Sequence, residues 1–183
     1  MTPMEPTTTS LPDIPSLADM DSGGGSAWPK GWYGGTILAD YTGQSGNTFE
    51  TNDTESKKGD SRNIRAIIQV TNPNETDPRT LFHNVNYRDT DLTAERIAEV
   101  KEARKTYAGT QGRWPDTDTQ RSSLALASLG QVEKAMGRTF SRNGNGLDVT
   151  PLHNLPVDVY LGTDEKGFNE VRQIAARGTR VKS

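Results

Sequence analysis

"RNIRAIIQVTNPNETDPRTLFHNVNYRD", residues 62–89, carries the clearest pattern in the chain. Ile64, Ala66, Ile68 and Val70 alternate with Asn63, Arg65, Ile67, Gln69 and Thr71, the period of a strand with one buried face. Leu81, His83, Val85 and Tyr87 alternate with Phe82, Asn84, Asn86 and Arg88 in the same way. Between them "NPNETDP" (72–78) is turn chemistry, with two prolines and two asparagines. Two such runs joined by a polar turn are expected to be antiparallel neighbours.

Working outward, "GWYGGTILADY" (31–41) places Tyr33, Ile37, Ala39 and Tyr41 in alternate register and reads as an earlier strand. Gly34 and Gly35 inside it mark a bulge or a close backbone approach. The stretch 42–61 is polar and turn-rich, with Phe49 as its only large apolar residue. It reads as a long mobile loop with at most a ragged strand around 47–52.

Downstream the period changes. Thr93 is the expected N-cap of a helix on which Ala94, Ile97, Ala98, Val100 and Ala103 recur at helical spacing, to about Ala108. "GTQGRWPDTDT" (109–119) breaks it. A second helix is expected over 120–137, with Ala125, Leu129, Val132 and Met136 on one face, Leu124 flanking it and Gly137 as the stop. "NLPVDVYLGT" (154–163) returns to period two, "DEKG" is a hairpin turn, and "FNEVRQIAA" (168–176) is the return strand.

The order β-β-β-α-β-β is mainly β with a helical insert. It matches an OB-fold-like five-stranded barrel, and a plain α+β sandwich is the competing architecture. Residues 1–27 read as a disordered acidic tail and linker, rich in Pro, Thr and Gly. Residues 28–176 form the OB-like domain with the helical insert at 93–137, and 177–183 form a basic C-terminal tail. In the head, Leu11, Ile14, Leu17 and Met20 would share one face if a partner induced a helix.

Composition narrows the function classes. The chain has no cysteine, which excludes disulfides, thiolate zinc sites and cysteine nucleophiles. Mean hydropathy is −0.76, and no apolar run approaches the ~20 residues needed to cross a bilayer. No signal peptide is legible, so a soluble, cytoplasmic protein without membrane contact is expected. The net charge of −3 is unevenly spread. The first thirty residues carry four acids and one base, and the last twelve carry Arg172, Arg177, Arg180 and Lys182 without an acid.

The hairpin at 157–176 resembles that of small phage-encoded proteins whose domain ends in Asp-x-x-Gly-aromatic-Asn-x-Val. The matching residues are Asp164, Gly167, Phe168, Asn169 and Val171. The resemblance implies an OB-type single-stranded-DNA-binding protein associated with phage replication and recombination, acting in the host cytoplasm.

Candidate chemistry follows the same lines. No phosphate loop or nucleophile elbow is present, and no cofactor or metal is expected. Each of the two histidines, His83 and His153, precedes an Asn, which raises a metal-nuclease reading. Burial explains His83 more simply, and capping explains the Asp pairs 89/91 and 116/118. A non-catalytic binder of single strands needs aromatic faces, cations and amides. The polar strand faces offer Arg65, Gln69, Phe82, Asn84, Asn86 and Arg88, joined by Trp32 of the same parity on the first strand. Lys57, Lys58 and Arg62 form a second group beside the loop, and Arg172 and Arg177 a third near the C-terminus. Cover for the helical insert remains the alternative role for Phe82 and Trp32. Phage or host replication or recombination proteins would engage such a binder through its N-terminal tail. At the level of function the alternative is a phage protein-interaction or structural protein, a host-factor inhibitor or virion component, on the same scaffold.

Overall fold

The computed structural model describes residues 26–110 and 113–181. Most of the acidic head, including Leu11, Ile14, Leu17 and Met20, lies outside the described residues, as does Lys182.

The main sheet is antiparallel, in the order β10–β9–β1–β5–β6. Its strands are β1 (Gly31–Leu38), β5 (Arg62–Thr71), β6 (Arg79–Tyr87), β9 (Pro156–Thr163) and β10 (Asn169–Ala176). The expected pairing of 62–71 with 79–87 is present over the whole length of both strands. Ile64, Ala66, Ile68, Val70, Val85, Tyr87, Ile37, Val157, Val159 and Leu161 fill one side of the sheet. Gly35 answers the question raised by its doublet. A Cβ there would lie 3.1 Å from the Gln69 carbonyl oxygen, so close approach is the reason for glycine, and the bulge of the sheet falls between Val171 and Gln173 instead.

The stretch 42–61 is more ordered than its polarity implies. β2 (Asp40–Thr42) and β3 (Thr48–Glu50) form a small hairpin, and β4 (Asn52–Glu55) pairs with the N-terminal half of β5. Thr51 pins this excursion to the sheet: its hydroxyl donates to Leu38 O at 2.6 Å and accepts from Ile67 N at 3.0 Å. The loop 141–147 likewise carries a minimal ladder, β7 (Arg142–Asn143) against β8 (Gly146–Leu147).

The sheet curls until its edge strands approach, giving a half-barrel. Among the described residues no backbone ladder joins β6 to β10, so the expected closed barrel is not formed. Side chains bridge the gap instead. Arg79 Nη1 donates to Asn169 Oδ1 at 3.0 Å, and the His83 ring bonds to the Val171 backbone.

Two helices follow β6: α1 (Ala94–Tyr107) and α2 (Thr117–Met136). Thr93 and Asp116 cap them, accepting from Arg96 N and Thr119 N, and Gly137 ends α2 at φ 73°. α2 packs against both β6 and β10, and its Ala125, Leu129, Val132 and Ala135 plug the opening. α1 departs from expectation: Ala94 and Ala98 are exposed, and Val100 is its only buried residue.

Both histidines serve the fold. His153 Nε2 lies 3.1 Å from Thr51 O. Among the described residues no group of three metal-ligating side chains gathers. No helix among them is long and apolar enough to cross a membrane.

The hairpin that carries the resemblance has a structural account at four of its five matching positions, the Phe168 ring being half exposed. Asp164 Oδ1 accepts from Lys166 N and Phe168 N, and Gly167 takes φ 88°. Asn169 clamps Trp28 twice, accepting from its N at 2.8 Å and donating to its O at 3.0 Å. Val171 enters the core.

Candidate nucleic-acid interface

Strand parity divides β5 and β6 into an inner, apolar side and an outer, mostly polar side, on which Ile67 is nonetheless fully buried. On the outer side Ile67 lies opposite Phe82 and Arg65 opposite Asn84. Phe82 is 43% exposed, too open for a core residue. The β2–β3 hairpin folds Phe49 onto it, ring centroids 5.4 Å apart. The Arg65 guanidinium sits 5.9 Å from the Phe49 centroid and 5.8 Å from that of Phe82. Among the described residues no carboxylate pairs with Arg65.

Amides border this cluster. Asn63 Nδ2 donates to Asn84 Oδ1 at 3.1 Å, Asn84 and Asn86 are exposed, and Gln69 lies further along β5, on the same face as Arg65. A cleft of about 380 Å³ continues the face from Asn84 and Asn86 to Gln120, Arg121 and Leu124 of α2. Chemically the arrangement offers flat apolar rings, a cation and hydrogen-bonding amides, and no nucleophile with a base beside it.

The sequence candidates therefore separate. Arg65, Gln69, Phe82, Asn84 and Asn86 share one face. Trp32 is on the same side of the sheet but further off, paired with Tyr160 of β9. Lys57 and Lys58 are exposed at the tip of the β4–β5 hairpin.

Four arginines of the candidate set are committed to the fold. Arg62 shares the parity of Ile64, so it points inward, and its Nε donates to Asp53 Oδ1 at 2.8 Å. Arg88, at the end of β6, pins α2 to the turn that precedes α1. It bonds to Asp118 at 2.5 Å, and to Asp91 and Ser122 at 3.0 Å each. Burial pushes the Asp91 carboxyl up, yet hydrogen bonds from Ser122 and Arg88 outweigh it and hold the group below its ordinary value. Arg172 pairs with Glu170 and donates to Thr163 O. Arg177 donates to Val157 O and Gly35 O.

Phe49 and Arg121 belong to the face and were not singled out for it by sequence. A signal for Phe49 exists: Tyr41 and Phe49 flank "TGQSGNT" symmetrically, as aromatic partners across a hairpin do. Arg121 reaches the face only because α2 leans on β6, which its local sequence does not encode. Comparison with protein-family models, with curated protein sequences and with solved structures finds no match.

Proposed function

We propose that the chain is a non-catalytic single-stranded-DNA-binding protein whose ligand lies across the outer face of β5 and β6. The observation that carries this reading is the Phe49–Arg65–Phe82 cluster. Every base has a π face, so an exposed Phe82 ring backed by a half-buried Phe49, with a cation beside both, takes a single strand without reading its sequence. A duplex keeps its bases stacked inward and offers the rings nothing.

The topology supports the same reading. The long strands run β1, β5, β6, then two helices, then β9 and β10, with β6 and β10 side by side. That is the order of an OB barrel, whose second and third strands and first connecting loop grip oligonucleotides. β5 and β6 correspond to those strands, and the β2–β3 hairpin belongs to that loop. Side chains and α2 stand where the barrel ladder would close. A role in phage replication or recombination, in the host cytoplasm, rests on the hairpin resemblance. A protein-docking role is the second reading, favoured by Leu124, which is 65% exposed with clefts on both sides of it.

Fluorescence polarisation with labelled oligo(dT) across a salt series, with duplex DNA as control, tests the proposal. Binding is expected for the single strand alone, weakening with salt. Phe82→Leu should weaken it about 5- to 150-fold, the ~1–3 kcal/mol of one base stacked on an aromatic ring. Absence of binding at low salt removes the proposal.

A further inference from the structure

We propose that Trp32, Tyr160 and Arg180 form a second nucleotide-binding subsite, assembled by the C-terminal turn; this rests on the single-strand reading above.

The subsite begins with a buried carboxylate on the wrong side of the sheet. Asp158 lies opposite Gly34 on the outer face, where an acid would normally meet water, yet it is fully buried. Residues 177–181, expected to trail as a basic tail, fold back over it. Asp158 Oδ2 accepts from Gly178 N at 3.0 Å, Arg180 N at 2.8 Å and Val181 N at 2.9 Å. Arg177 Nε lies 3.7 Å from Oδ1. One carboxylate thus organises a whole turn, and its charge is consumed in doing so.

The turn carries Arg180 to the Trp32 ring, its guanidinium carbon 5.3 Å from the centroid. Tyr160 meets the same indole edge-on, centroids 5.5 Å apart at 69°. Beside them a cleft of about 510 Å³ opens between β10 and α2, lined in part by Trp32, Gln131, Lys134, Gln173 and Arg180 and by no carboxylate. Its volume is within the range of small-ligand sites, about 300–1,000 Å³. One indole, two cations and two amides with no acid select a planar base carrying a phosphate. The base takes the indole face that Arg180 covers, and Arg180, displaced from it, joins Lys134 on the phosphate.

The separation from the first cluster fixes what this does. Leu38, Ile67 and Phe82 lie in one row across the sheet. Trp32 is six residues before Leu38 on β1, so strand rise and spacing put it about 20 Å from Phe82. A short oligonucleotide occupies one cluster, and a longer one spans both.

The test compares the full chain with Trp32→Leu, Arg180→Ala and Phe82→Leu, using oligo(dT) of about four and about twelve nucleotides, within the span that such domains cover. The wild type should gain affinity from the short to the long oligonucleotide. Trp32→Leu and Arg180→Ala should each cut that gain by about fivefold or more, the effect of one lost stack or ion pair. Arg180 is exposed, so its variant reports even if the Trp32 variant misfolds. Asp158→Asn, which frees the turn, should reproduce the Arg180→Ala result. Retention of the full gain by Trp32→Leu and Arg180→Ala, with Phe82→Leu still impaired, overturns the subsite and leaves the single-strand reading intact. Failure of the wild type to bind either length removes both.

Discussion

Asp53 accepts from Arg62 Nε, from the Tyr87 hydroxyl and from Leu147 N, and so joins β4, β5, β6 and β8 through one side chain. Burial and the bond to Asp53 push the Tyr87 phenol well above its ordinary range, so it remains a donor at any working pH. Asp53→Ala would strand a guanidinium that is 17% exposed beside an unpaired buried hydroxyl. We expect a loss of about 3–5 kcal/mol, the usual cost of breaking such a pair, read as a lower midpoint in urea unfolding. At this scale the sequence was legible for most apolar residues and for Phe82, because parity assigns them, with Ile67, of outer parity yet fully buried, as the exception. It was poorly legible for arginine. The parity of Arg62 already pointed it inward, but its partner Asp53 belongs to another strand, and only the folded register brings the two together.

The elements divide in the same way. β1, β5, β6, β9 and β10 were readable because eight or more residues sample the period several times. β4 was not, and β2 and β3 only in part, since three or four mostly polar residues display no period and owe their order to Thr51 and Phe49. The seam between β6 and β10 was also invisible, being a relation between strands distant in sequence. It makes a pH prediction. Burial lowers the His83 pKa from 6.5, and the bond to the Val171 backbone only partly opposes this. The unfolded chain therefore binds the proton more readily, and the His83 contribution is complete above 6.5 and declines as pH falls below it. Wild-type stability should drop between about pH 7.5 and pH 5, a window that brackets histidine and sits above most carboxylates. His83→Gln should lose most of that pH dependence, as followed by urea unfolding at the two values.

Over the whole molecule, the net charge of −3 hides a local arrangement. Asp53, Asp91, Asp118 and Asp158 are engaged with arginines, whereas Arg65 and Arg180 face rings rather than carboxylates. Composition showed balance, and only the fold shows which charges cancel. Binding to oligo(dT) should fall with salt at a log–log slope of about −0.7 for each phosphate contact. Arg65→Ala should make that slope shallower by about 0.7, whereas Arg62→Ala should destabilise the fold and leave the slope unchanged. Polarisation titrations at four salt concentrations distinguish the two.

The position of β1 has a consequence for how the protein is made. β1 is translated before the other long strands of this sheet, yet it sits in the middle of it, between β5 and β9. Its second neighbour is translated only at 156–163, and the turn that covers Asp158 later still. A nascent chain stopped at residue 150 holds β1, β5 and β6 with one flank open and the apolar side of Ile37, Ile68 and Val70 lacking Val157, Val159 and Leu161. β9 and β10 have to be made before this sheet can be complete, and until then the growing polypeptide is a client for whatever shields unpaired strands in the cell.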